Sequence, residues 1–144
     1  MAEALLNARA SDSLRARSAG TAPLEAPCPQ TLALLKESGI PTLGLHTKGW
    51  EEFLDASLII PVSVIITLSE EARHTCPPSW PGNPVRVHWT VDDPLSASRN
   101  DVREWKFRKA FAILDARVGA LARSGLPETS DAILMHLKAL GMVV

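Results

Sequence analysis

The sequence predicts an α/β domain, a three-layer αβα arrangement around a small parallel sheet, on three observations. The run Val62–Ile66 (VSVII) is apolar, rich in β-branched residues and too short for a helix. That is the composition of a strand covered on both faces. Val85–Trp89 (VRVHW) is a second strand-like run downstream. Around these runs, segments of helical periodicity alternate with strand-like ones, the order that right-handed crossovers over a parallel sheet require.

In chain order, Met1 to about Asp12 reads as an Ala-rich helix with Ala2, Leu5, Leu6 and Arg9 at helical spacing. Leu14–Ala19 (LRARSA) alternates polar and apolar residues as a strand does, and Gly20 closes it. Ala22–Pro29 holds three prolines and reads as a loop. Gln30–Ser38 is an amphipathic helix with Leu32, Leu34 and Leu35 inward, stopped by Gly39. Ile40–Gly49 is irregular, and Trp50–Leu54 makes one short helix. After the first buried strand, Ser69 caps a short acidic helix that opens with Glu70 and Glu71. The Pro/Gly-rich segment Pro77–Pro84 leads to the second strand. The longest helix is predicted over Asn100–Ser124, with Val102, Trp105, Phe107, Ala110, Phe111, Leu114, Val118 and Leu121 on its buried side. Gly125-Leu126-Pro127 breaks it, and Thr129 or Ser130 caps a last helix, Asp131–Leu140, ended by Gly141.

A chain of 144 residues, 46% hydrophobic and 22% charged, fits one domain over 1–144, with a core at 1–124 and a helical extension at 125–144. The net charge of −1 gives no electrostatic footprint for nucleic acid or an anionic membrane surface. No apolar run approaches the roughly 20 residues that span a bilayer. The first residues (MAEALLNARASDSLRARS) lack an apolar signal core, so a cytoplasmic location is expected. Two cysteines, Cys28 and Cys76, do not make a disulfide framework and are expected reduced or transiently redox-active. Four histidines, His46, His74, His88 and His136, share no metal-ligand spacing with them. His88 and Trp89 are expected to brace the strand end, while Trp50, Trp80 and Trp105 read as loop anchors and core rather than a stacking surface.

Open parallel sheets bind ligands at the carboxyl ends of their strands. Ser69 and Cys76 follow the first strand and Asp93 follows the second. All three are expected along one rim, where any chemistry would take place.

Several segments carry a specific resemblance. MAEALLN at the start, SAGT at Ser18–Thr21, GLHTKGWEEF at Gly44–Phe53, Cys76-Pro77 and HWTVDDP at His88–Pro94 are similar, in order along the chain, to the thioredoxin-coupled arsenate reductases. Those enzymes are a branch of the low-molecular-weight protein tyrosine phosphatase fold. In that family a phosphate-binding loop of Cys, five residues and Arg, itself following the central first strand, directly precedes the MAEALLN helix. Here Met1 stands after that point, and the CPQTLA stretch at Cys28 has neither the Arg nor the Gly such a loop needs. The resemblance therefore implies an N-terminally truncated domain without the nucleophilic thiolate, the converging amides and the bidentate Arg. Cys28 is then a small loop or helix-start residue.

The resemblance assigns Asp93 the general-acid position, protonating the leaving oxygen, with an ordinary Asp-Pro turn as the bland alternative. Asp92 is expected to face solvent or cap the loop. Cys76 matches the second of two relay cysteines, and Ser69 stands at the first, where a hydroxyl cannot form a disulfide. An inert, partly buried thiol is the alternative for Cys76. Glu3, Ser18 and Lys48 match positions around a monovalent cation in some reductases. Lys48 stands where those enzymes carry an acidic residue, so its ammonium is expected to replace the cation and no metal is expected; a plain surface lysine is the alternative.

Three functions fit these residues. The first is an arsenate reductase-like enzyme, using a thioredoxin- or glutathione-type thiol reductant and no bound cofactor, whose true start lies upstream of Met1. The second is a catalytically dead binding or regulatory remnant. The third, a phosphatase-like phosphomonoester hydrolase with the same missing start, is the weaker enzymatic reading. Phosphatases follow their Asp-Pro with aromatic residues, whereas Leu95-Ser96 follows here and the chain has no tyrosine. The expected partners are arsenate or phosphate if the loop is supplied, and thioredoxin. Loss of the central strand would leave LRARSA and VSVIIT with unpaired edges, which would pair with each other or support a homodimer.

Overall fold

Val64–Thr67 (β1) and Val85–His88 (β2) lie side by side as parallel strands, with Val64 opposite Val85 and Thr67 opposite His88. The structure, a computed structural model, describes residues 1–54 and 62–143. Among the described residues five α-helices accompany the strands: Ala2–Arg9 (α1), Pro29–Glu37 (α2), Glu70–Thr75 (α3), Asn100–Ser124 (α4) and Ser130–Leu140 (α5). Single 3-10 turns form at Trp50–Phe53 and Pro94–Ser96.

Among the described residues the sheet has two strands rather than the expected three. Leu14–Ala19 joins no ladder and does not pair with β1; Gly20 alone makes a parallel bridge, to Gly49. The reason lies in where its backbone groups find partners. Asn7 of α1 accepts from the Ala16 amide through Oδ1 (2.8 Å) and donates to the Ala16 carbonyl through Nδ2 (3.0 Å). The Ser18 amide donates to Glu3 Oε2 at 3.1 Å, and the Gly20 amide to the Lys48 carbonyl at 3.0 Å. Side chains of α1 thus do for this segment what a neighbouring strand would have done.

The core forms where α1, α2, α4 and α5 close on the strands, around Leu5, Leu35, Trp89, Leu114, Val118, Leu121 and Leu137. Burying one large aliphatic side chain contributes about 1.5–3 kcal/mol. Leu5, Leu35 and Leu137 have no exposed surface at all, so each delivers that contribution in full. Helix α4 has the predicted bounds, and Gly125, at φ +69°, ends it in a conformation that a side chain disfavours. Its apolar stripe is buried from Phe107 onward, but Val102 and Trp105 are exposed, Trp105 by 59%. At 1.5 Å per residue a helix of 25 residues is about 37 Å long. Its first two turns overhang the core.

Helix α5 starts at a Thr129 cap that accepts from the Ala132 amide, and it docks on β2 through Leu137. The Trp89 indole donates to the Leu137 carbonyl at 2.8 Å, and its ring lies so close to Gly141 that a Cβ there would come within 2.6 Å of Cδ1. Only glycine allows that approach.

Candidate functional site

The two strands deliver Ser69 and the Asp92-Asp93 segment from neighbouring carboxyl ends. The Trp89 amide donates to the Thr67 carbonyl (2.9 Å) and the Val91 amide to the Leu68 carbonyl (3.0 Å), so the two chain exits run together past the end of the sheet. Ser69 caps α3, its Oγ accepting from the Ala72 amide at 3.1 Å. That bond commits its hydroxyl to the helix start. Asp93 caps the following 3-10 turn, Oδ1 accepting from the Leu95 amide at 2.9 Å, and its other carboxylate oxygen remains available. Asp92 points outward, 4.0 Å from Lys109 Nζ.

His88 sits at this same end. Its Nδ1 lies 2.9 Å from Thr67 Oγ1, while its buried Nε2 lies 3.2 Å from Glu70 Oε1 without the alignment of a hydrogen bond. The imidazole braces the strand ends against the first turn of α3. Helix α3 buries none of its own residues, so polar contacts of this kind hold it in place.

Cys76 stands at the C-terminal end of α3, the opposite end from its Ser69 cap. It lies on the flank of β2, 3.4 Å from the Arg86 guanidinium, which also bonds the Pro77 carbonyl. No described hydrogen bond or ion pair joins Cys76 to Asp93. Trp80, in the Pro/Gly-rich segment beside them, stacks edge-on against Trp50 at 6.1 Å. Cys28 precedes the first residue of α2 and donates to Gln30 Oε1, with both cysteines free. At the sixth position after Cys28 and Cys76 stand Leu34 and Gly82, so neither begins a Cys-x5-Arg loop.

Glu3, Ser18 and Lys48 come together on the wall of a cavity of about 260 Å3 that Cys28 and His46 also line. Lys48 Nζ lies 3.1 Å from Glu3 Oε2 and 3.1 Å from the His46 carbonyl, and Ser18 Oγ donates to the same Glu3 oxygen. The Lys48 side chain is 2% exposed and that of Glu3 11%, so the surface-lysine alternative does not hold. Burial pushes the Glu3 carboxyl up, but the hydrogen bonds from Ser18 and Lys48 and the Lys48 charge together hold its pKa below the ordinary value. The ammonium thus sits between the Glu3 carboxylate and the His46 carbonyl. Among the described residues no group of three or more His, Cys, Asp or Glu side chains could hold a metal ion.

Sequence reasoning passes over two arginines at this end of the molecule. Arg86 carries no signal, since a strand alternates polar and apolar residues anyway. Arg117 carries one: Phe107, Ala110, Leu114, Arg117 and Leu121 follow one another at steps of three and four, so a charged residue stands on the apolar stripe of α4. It is buried, and burial lowers its pKa from the ordinary arginine value. Its Nε donates to the Val143 carbonyl (2.9 Å) and its Nη1 to the Thr90 carbonyl (3.1 Å).

Comparison with known proteins agrees with this geometry. Residues 1–130 match the low molecular weight phosphotyrosine protein phosphatase family. The chain is 30% identical over 98 residues to an arsenate reductase of Halalkalibacterium halodurans, a match covering 67% of each chain. Its fold superposes on the crystal structure of an arsenate reductase from Archaeoglobus fulgidus with a TM-score of 0.62 and 24% identity, over 85% of this chain and 87% of that one. At that identity the likeness is one of fold.

Proposed function

The chain belongs to the low molecular weight phosphotyrosine protein phosphatase family, and from that premise we propose that it is an arsenate reductase-like domain. It supplies the acid side of the reaction: Asp93 protonates the oxygen that leaves the reacting centre. The observation that carries this reading is the Val91-to-Leu68 hydrogen bond, which holds the Asp92-Asp93 segment beside Ser69 at the carboxyl ends of the two strands.

Reduction of arsenate to arsenite takes two electrons and releases one oxygen as water, supplied when two thiols become a disulfide. In this reading Cys76, with the Arg86 guanidinium 3.4 Å away, takes one relay position. Ser69 holds the other relay position and is spent on capping α3. A tetrahedral oxyanion also needs converging amides and a forked Arg, and neither cysteine of this chain heads such a loop. The 144-residue chain therefore turns over neither arsenate nor aryl phosphate by itself. A thioredoxin- or glutathione-type reductant becomes relevant only when a nucleophilic loop is supplied.

The test is a chimera that joins a strand and a Cys-x5-Arg loop of the family's pattern to the start of α1. Arsenate reduction that appears in the chimera and falls on the change Asp93→Asn supports the proposal. A chimera whose activity is untouched by that change would remove Asp93 from the chemistry.

A further inference from the structure

The segment that carries Asp93 is supported from two sides, and only one of them is the sheet. On the sheet side, the Trp89 and Val91 amides donate to the carbonyls that end β1. On the other side stand α4, α5 and the residues after α5. Arg117 donates to the Thr90 carbonyl, the Trp89 indole donates to the Leu137 carbonyl, and Gly141 lies against the Trp89 ring.

We infer that Arg117 is a positioning residue for the Asp92-Asp93 segment, and that through it residues 141–143 become part of the support of the acid. The inference rests on the reading of Asp93 given above. Its basis is the combination of burial and fork geometry. Arg117 is 7% exposed, and its described hydrogen bonds go to two backbone carbonyls, Thr90 and Val143, from segments that otherwise lie apart in the chain. Burying a guanidinium costs more than burying an apolar side chain of the same volume. A planar fork of fixed donors is what can hold two irregular segments in one arrangement; a lysine ammonium, a point charge on a flexible stem, cannot. An apolar residue at this point of the α4 stripe would pack but would leave the Thr90 carbonyl without this donor. The Thr90 carbonyl is three residues from Asp93, and between them Val91 is already fixed to Leu68. The Thr90 carbonyl is adjacent to the Val91 amide that ties this segment to Leu68, so losing its donor loosens that tie, and with it the Asp92-Asp93 segment, before the ladder of the sheet.

The experiment uses the full chain and NMR, with no need of turnover. Hydrogen exchange is followed at the Val91 amide and, as a reference for global opening, at the Val85 amide, which bonds the Ser63 carbonyl at 2.9 Å. The Asp93 backbone is followed through its amide 15N shift. In Arg117→Lys the Val91 amide is expected to exchange on the order of tenfold faster while Val85 keeps its rate. The Asp93 amide shift is expected to move in the same variant. Gly141→Ala, which leaves Arg117 intact and displaces Trp89, is expected to give the same local signature. Unchanged Val91 exchange and an unchanged Asp93 amide shift in both would overturn the inference, as would acceleration of Val91 and Val85 in equal proportion. A chimera indifferent to Asp93→Asn would remove the acid role yet leave these NMR results standing, so the two failures are distinguishable.

Discussion

Lys48 and Glu3, 45 residues apart in sequence, form a buried ion pair at 3.1 Å that fastens the first turn of α1 to the segment running into the Gly20–Gly49 bridge. Replacing one partner strands the other in a low-dielectric site, whereas replacing both does not. Lys48→Met is expected to lower stability by about 3 kcal/mol. The double variant Lys48→Met/Glu3→Gln is expected to cost less than the sum of the single ones. Urea midpoints for the four proteins check this, and strictly additive losses would show that the pair is not coupled.

The same pair sets a pH dependence. The folded-state pKa of Glu3 is depressed, so its contribution is fully present above the unfolded value of about 4.3 and is lost as pH falls through the folded value. Urea midpoints from about pH 5 down to about pH 3 are expected to fall more steeply in the native sequence than in Glu3→Gln. Equal slopes would mean that the carboxyl is not held in its charged form.

Position along α4 decides what an aromatic or aliphatic side chain contributes. Leu114→Ala, in the buried half, is expected to cost about 2–5 kcal/mol through the cavity it leaves. Trp105→Ala, in the overhanging turns, is expected to stay within about 1 kcal/mol, losing only its stacking with Lys109 at 5.2 Å. Thermal or urea unfolding of the two variants separates the cases, and a large loss at Trp105 would mean that the first turns of α4 are covered.

In the loop-supplied chimera, Asp93→Asn is expected to lower the turnover number by about 10^2 to 10^4, the usual contribution of a general acid, with a smaller effect on the Michaelis constant. Steady-state kinetics against arsenate measure it. Asp92→Asn is expected to leave both constants near those of the parent, because that side chain faces outward toward Lys109.

The local signals in this chain are legible where they are self-contained. The buried strand pair, the Ser69 and Thr129 caps, and the breaks at Gly125 and Gly141 each depend on a few adjacent residues, and each stands where its residues put it. Leu14–Ala19 misleads because being a strand is a property of pairs: its alternation gives an extended backbone, but Asn7 and Glu3 take up its hydrogen bonds. Trp105 misleads because helical periodicity gives a face and not the distance over which that face is covered. For Lys48 the sequence leaves a cation-replacing ammonium and a plain surface lysine side by side, and its burial emerges only when Glu3, Ser18 and the His46 carbonyl converge on it. Ser69 and the Asp92-Asp93 segment follow neighbouring strand ends as the general rule for strand carboxyl ends has it, whereas Cys76 stands beyond α3 beside Arg86, a placement that rule does not give.

The most direct measurement is arsenate reduction by the purified 144-residue chain with thioredoxin, or a low-molecular-weight thiol, as reductant. No arsenite above the reductant-only control is expected, with Cys76 remaining reactive as a free thiol throughout. Arsenite production that disappears in Cys76→Ser would contradict that expectation, since this chain would then reduce the oxyanion without a Cys-x5-Arg loop.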